Sequence, residues 1–360
     1  MTITSQDDLS ATIEDALRRR LTERSTAAAE YGDEFAALWT LAADHVLGGK
    51  LIRPRLLIEV HRALTPGPSA QEADVVVELA ANVELLHFAF LLHDDVIDGD
   101  LIRRHRPNLI GSLAGISDDH ATAAESDLHW ARASAILMGD LLLSSAILGF
   151  ARAEVSANTR VRLLDLLEHV VLETVAGEHT DVGLSDGVIR PDLQRILAMT
   201  AYKTAAYSFA LPLRAAAILA DAAPAVESSM IEIGRHLGLA YQLQDDHLSV
   251  FGDQAVHGKD AYADLRSGKE TAIIAYARMT SEWSSIGPRF GRAELRPDDA
   301  ARMRQLLIGC GAESFVRSLV DDQLTAVHAA LEGGEGSREI PEAARLAISA
   351  VARIIEGRRR

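Results

Sequence analysis

Two aspartate clusters carry the residue types and spacing most able to do chemistry. The segment Glu84 to Asn108, ELLHFAFLLHDDVIDGDLIRRHRPN, runs apolar and then delivers Asp94, Asp95 and Asp98. Residues four apart share a helix face, so Asp94 and Asp98 point the same way and Asp95 lies about 100° round. Like charges at that spacing destabilise a helix by a few tenths of a kcal/mol, so something must compensate for them. Mg²⁺ suits the task, because it takes oxygen ligands, keeps several waters and is held by one or two carboxylates plus substrate phosphates. Arg103 and Arg104 follow closely, and a guanidinium fork matches phosphate oxygens two at a time. A solvated acidic helix end would explain the aspartates alone. Acids for a metal beside arginines for phosphate fit a metal–diphosphate better.

The second cluster has the same logic. In YQLQDDHLSVFGDQAVHGKDAYADLRSGKET, Tyr241 to Thr271, Asp245 and Asp246 end an apolar run, glycines break it, and Lys259 and Lys269 follow. Ser249 stands four residues after Asp245, where the first cluster has Asp98. Asp253 and Asp264 lie further on, within reach of a metal through water. A third group is Gly48-Gly49-Lys50-Leu51-Ile52-Arg53-Pro54, where Lys50 and Arg53, three apart, can project to one side. Taken alone, both are ordinary solvated cations. His87 lies two turns before Asp94 on nearly the same face, and a histidine in an apolar stretch is as readily a core residue. Lys203-Thr204, on the segment Leu193 to Ala220, is weaker still by itself.

The elements that must position these residues are helices. Apolar residues make up 48% of the 360 and aromatics only 5%, with Ala and Leu, both strong helix formers, dominant. The apolar positions of Val161 to Val175 fall near the i, i+3, i+4, i+7 pattern of one buried face. Similar stretches run from about Ala36 to Leu64, Ala73 to Asp98, Ala131 to Val155, Leu193 to Ala220, Met230 to Val250 and Ala344 to Ile355. Strand-like alternation is almost absent. Turn clusters at Thr65 to Ser69 and Gly187 to Pro191 are short, Ser117 to Asp127 reads as a mobile loop, and no linker or fixed-period repeat appears. These features predict an all-α, single-domain bundle over residues 1–360, with an N-terminal helical extension at 1–30 and a basic tail at 356–360.

A net charge of −16 and a pI near 5.2 argue against nucleic acid as a partner, since its phosphates need Lys and Arg. Cys310 alone excludes a disulfide framework within the chain. The N-terminal segment has acids where a signal peptide has cations. Ala135 to Ala151, the most apolar run, is interrupted by Asp140 and two serines, so no stable membrane anchor is expected. The expected location is cytoplasmic.

These motifs, in this order from about Gly48 to Thr271, resemble those of the trans-isoprenyl diphosphate synthases, the head-to-tail polyprenyl synthetases that include farnesyl and geranylgeranyl diphosphate synthases. GGKLIRPRL resembles the family's GGK-x-x-RP motif, and LLHDDVIDGDLIRR its first Asp-rich motif. YKTAAYSFALPLRAAA looks like its K-T segment, and YQLQDDHLSVFGD with the following GK like its second Asp-rich motif. The resemblance implies an isoprenoid-synthase bundle around a deep apolar pocket, usually homodimeric. It assigns Asp94, Asp95, Asp98 and Asp245, with Asp246 nearby, to Mg²⁺ on an allylic diphosphate, and Arg103, Lys203 and Lys259 to that diphosphate. Lys50, Arg53, His87 and Arg104 would bind isopentenyl diphosphate, while Thr204 and Gln242 line the reacting carbons.

Three departures stand out. Ser249 replaces the third Asp of the common second motif, Ala215-Ala216-Ala217 stands where Gly-Ala is usual, and the tail Gly357 to Arg360 reads as solvated cations. In the family, bulk just before the first motif limits product length. Ala89 beside Phe90 points to a medium product, geranylgeranyl or farnesyl diphosphate. A terpene cyclase on the same scaffold would not need Lys50, Arg53 and His87. A non-catalytic regulatory subunit of a prenyl synthase commonly loses an Asp-rich motif, and here the first is intact.

Overall fold

The structure is a computed structural model of the 360-residue chain and describes residues 6–103, 106–116, 124–252, 262–292, 294–333 and 339–358. Arg104, Lys259, Asp253 and the last two arginines of the tail lie outside the described residues. The chain divides into two compact units, Met1–Leu167 with Ala215–Ala222, and Glu168–Arg214 with Ala223–Arg360. Helices dominate both, as the 3.6-residue periodicity requires.

In the first unit, α1 (Gln6–Ala28), α2 (Asp33–Val46), α3 (Ile52–Leu64), α4 (Ala70–Asp98), α5 (Leu109–Leu113) and α6 (Glu125–Ala151) follow in order. The centre is α4, against which α1, α3 and α6 pack. Its start is fixed by a capping box: Ser69 Oγ accepts from the Glu72 amide, and Glu72 accepts from the Ser69 amide. Buried Val76, Leu79, Val83, Leu86, Ala89 and Leu92 then lock α4 into the core. Helix α6 approaches α4 closely because it has glycines at the contacts. A methyl at Gly139 would collide with the His93 ring, and one at Gly149 with the Asn82 amide.

The periodic stretch read as continuous from Ala36 to Leu64 is broken. Val46 ends α2, and the chain turns through Gly48 (φ 80°) and Leu51 (φ 49°) before α3 begins. Leu51 holds a left-handed conformation that costs a non-glycine residue about 1 kcal/mol or more. Its buried side chain, 2% exposed, anchors the turn. Among the described residues strand is nearly absent, as expected: β1 (Ile102–Arg103) and β2 (Arg106–Pro107) form one antiparallel pair just after α4.

Helix α7 (Ala157–Ser185) starts in the first unit and continues in the second. Next in the chain come α8 (Leu193–Thr200) and a π-helical segment (Ala201–Ala210), both in the second unit, then α9 (Leu211–Leu219), divided between the two units at residue 215, and α10 (Pro224–Phe251) in the second. Shorter helices come next, α11 (Ala263–Ser267), α12 (Ala272–Ala277) and α13 (Trp283–Ile286), then α14 (Pro297–Gly309), α15 (Ala312–Gly333) and α16 (Glu342–Gly357). The core helix here is α10, packed on α15 and the π segment.

Two helices, α4 and α6, are long and apolar enough to cross a membrane by length and composition alone. Of the qualifying window, 67% is buried in α4 and 39% in α6. The α4 window is therefore mostly core.

Candidate active site

In the first unit the last turn of α4 delivers Asp94, Asp95 and Asp98 to its C-terminal end, where Gly99 (φ 72°) stops the helix. That end carries the negative pole of the helix dipole, so each carboxylate there is disfavoured by a few tenths of a kcal/mol or more. The three differ in environment. Asp98 is exposed, Asp94 half-buried, and Asp95 buried at 3% exposure. The reading of Asp95 as lying off the Asp94–Asp98 face holds, and its position places it on Arg103. From β1, Arg103 Nε donates to Asp95 Oδ1 at 3.1 Å and Nη2 to the same oxygen at 2.5 Å; Nη2 also reaches Asp94 Oδ2 at 3.4 Å. The strand pair thus folds the guanidinium back across the helix end.

Burial pushes the Asp95 carboxyl up to about 6 even though Arg103 pulls it down. Asp94 and Asp98 offer carboxylate oxygens within 4.8 Å of each other, a separation a single hard cation bridges. The donor set, all oxygen and anionic, fits a divalent ion of the Mg²⁺ class.

Further back, His87 and Phe90 are half-buried on α4 and Ala89 is fully buried. Lys50 is exposed at the turn before α3, and Arg53 is half-buried in its first turn.

In the second unit the π-helical segment carries Lys203 and Thr204. Insertions of this kind recur at functional sites because they displace side chains from the α-helical register. Three glycines make room for it. A methyl at Gly177 on α7 would strike the Lys203 backbone, and methyls at Gly234 and Gly238 on α10 would strike Ala210 and Ala205. Held this way, Lys203 Nζ pairs with Asp181 Oδ2 at 2.7 Å and Glu178 Oε2 at 2.9 Å. On the other side Thr204 Oγ1 donates to Gln242 Oε1 at 3.1 Å, and Gln242 Nε2 donates to Asp246 Oδ1 at 2.8 Å. Thr204, Gln242 and Asp246, separated by up to 42 positions in the chain, form one hydrogen-bonded group, while Lys203, next to Thr204, belongs to a second with Glu178 and Asp181.

Asp246 is buried, which pushes its carboxyl up to about 7; Lys269 opposes that, and Asp264 and Asp245 add to it. Burial works against the charge on Lys269, but Asp264, Asp181 and Asp246 outweigh it and raise its pKa. Ser249, at the position lacking an acid, donates to the carboxylate of Asp264. Asp264 thereby brings a carboxylate to the place the second motif leaves without one. Asp245 is paired with Arg358 at 2.6 Å, so the tail read as solvated docks at its first arginine.

Sequence reasoning missed Glu178 and Asp181. Their signal was an acid pair three apart on a largely apolar helix, next to Gly177. Asp181 is 4% exposed, and its Oδ1 has no hydrogen-bond partner among the described residues. A buried carboxylate oxygen left open in this way is a ready acceptor for a cation or its water.

The chain matches the polyprenyl synthetase family over residues 37–296. The geranylfarnesyl diphosphate synthase of Aeropyrum pernix is 31% identical over 274 residues, covering 75% of this chain and 79% of that protein. The (2E,6E)-farnesyl diphosphate synthase of Mycobacterium tuberculosis H37Rv is 31% identical over 300 residues, 81% of this chain and 68% of that one. Among solved structures, a geranylgeranyl pyrophosphate synthase from Corynebacterium glutamicum, complexed with isoprenyl diphosphate and magnesium, aligns with a TM-score of 0.87 at 26% identity, covering 99% of this chain and 100% of that one. With acid clusters, phosphate-type cations and helical fold all agreeing, the chain belongs to the polyprenyl synthetase family of trans-prenyltransferases.

Proposed function

We propose that this chain condenses isopentenyl diphosphate with an allylic diphosphate, in the presence of Mg²⁺, to give a medium-chain product, geranylgeranyl or farnesyl diphosphate. The observation that carries this reading is the last turn of α4, where adjacent acids at metal-bridging distance are overlaid by the Arg103 fork. Bound Mg²⁺ supplies Lewis-acid neutralisation of the departing diphosphate. Asp94, Asp95, Asp98 and Asp245, with Asp246 nearby, would hold the Mg²⁺ that binds the allylic diphosphate. Arg103, Lys203 and Lys259 place positive charge where negative charge develops as the allylic carbon–oxygen bond breaks. Lys50, Arg53, His87 and Arg104 hold isopentenyl diphosphate, whose double bond attacks the allylic carbon. The proton then lost passes to the departing pyrophosphate. Thr204 and Gln242 fix polar groups beside the reacting carbons, and Ala89 with Phe90 sets the bulk that limits elongation.

We also propose a homodimer. Trp130, Leu137, Leu141 and Leu148 recur along one face of α6 and are 61%, 60%, 36% and 42% exposed. An apolar stripe of that length on a soluble surface marks an interface with a like partner.

The test is incubation with Mg²⁺, isopentenyl diphosphate and each allylic diphosphate in turn, with products identified by mass. Longer linear diphosphates are expected. Cyclic hydrocarbon formed without isopentenyl diphosphate would replace this reading with a cyclase. Asp94→Ala is expected to abolish turnover with helicity unchanged, and retained turnover would sink the metal assignment.

A further inference from the structure

The last helix, α16, ends on the second aspartate cluster. Arg358 Nη2 lies 2.6 Å from Asp245 Oδ1, and the two side chains are 23% and 20% exposed. The same guanidinium sits 4.5 Å from the centroid of the Tyr241 ring. Tyr241 and Asp245 are four apart on α10, so one arginine spans two neighbours on a single helix face. Its Nη1 is buried and has no hydrogen-bond partner among the described residues. The arm that is used therefore goes to the carboxylate, and the rest of the group is held by the ring.

We propose that Arg358 is a built-in stand-in for the divalent cation at Asp245, a self-blocking contact that metal must displace before the second cluster can act. The proposal rests on the reading that Asp245 is a metal ligand. Charge balance favours it. Asp246, next in the chain, has Lys269 as its opposing charge, and Asp264 receives the Ser249 hydroxyl. Asp245 has Arg358 of α16 as a neutralising charge. A guanidinium and a divalent ion on one carboxylate compete for its negative charge and repel each other, so the affinity for metal is lowered by up to what the arginine contact contributes. A partly exposed ion pair with a cation–π contact weakens apparent metal binding by about five- to thirtyfold.

Full-length protein is titrated with Mn²⁺, alone and with inorganic pyrophosphate, and free Mn²⁺ is read by electron paramagnetic resonance. Arg358→Gln is expected to tighten Mn²⁺ binding by that factor, and Arg358→Lys, which keeps the charge but loses the fork and most of the stacking, by less. The gain should vanish in Arg358→Gln combined with Asp245→Asn. Circular dichroism confirms that each variant is folded. Equal or weaker Mn²⁺ binding by folded Arg358→Gln overturns the proposal, as does a gain that persists without Asp245. Failure of the underlying metal reading looks different. It appears with Arg358 intact, as unchanged Mn²⁺ binding in Asp245→Asn, and removes the proposal with it.

Discussion

Replacing Asp246 with asparagine should abolish the pH dependence that this one group imposes on stability. In the folded protein its carboxyl is pushed up to about 7 by burial, against an ordinary value of 3.8. A carboxyl with a raised native pKa binds its proton more tightly when folded. Its contribution is therefore fully present below about pH 4 and is lost as pH rises through about 7. At about 1.4 kcal/mol for each pH unit between 3.8 and about 7, the loss is about 4.5 kcal/mol at most. Asparagine keeps the oxygen that accepts from Gln242 Nε2 but carries no proton to lose. Urea unfolding followed by circular dichroism, on wild type and Asp246→Asn without metal, should show similar stabilities near pH 4. The variant should then gain over wild type by a few kcal/mol towards pH 8. A difference that stays flat across that range would refute the assignment of the strain to Asp246. Mg²⁺ with pyrophosphate should shrink the difference, because a bound cation favours the ionised carboxylate.

Other perturbations test the remaining contacts. Arg103→Ala leaves buried Asp95 without its fork, so stability should fall by about 3 kcal/mol near pH 8 and by less near pH 5, where Asp95 takes up a proton; an equal loss at both pH values would contradict the pairing. Gly177→Ala forces the π segment away from α7, and a cost of about 1–3 kcal/mol with a large fall in kcat is expected from unfolding and turnover measurements. Leu137→Glu with Leu141→Glu places charge on the exposed stripe of α6 and should yield monomer by analytical ultracentrifugation; an unchanged sedimentation coefficient would show that this face is not the interface.

Much of the site could be read from the chain because its chemistry is local. Asp94 and Asp98 share a face by helical spacing alone, and Arg103 follows at a distance that one tight strand pair closes. Amphipathic periodicity likewise located most helices, since burial of one face follows directly from a 3.6-residue repeat. The same repeat does not distinguish a π segment from an α-helix over ten residues, so the displaced register of Lys203 and Thr204 was hidden. The break at residues 47–51 was hidden for a related reason: the apolar pattern continues across a turn set by two left-handed residues.

What the sequence determined by itself was the helical class, the two acid clusters and the cations that follow them. Tertiary structure alone decided which cation neutralises which acid. Lys203 goes to Glu178 and Asp181 because three glycines let helices approach within reach. Asp264 fills in beside Ser249. Arg358 crosses 113 positions of chain to reach Asp245. Such pairings depend on packing distances between elements remote in sequence, and no local spacing encodes them.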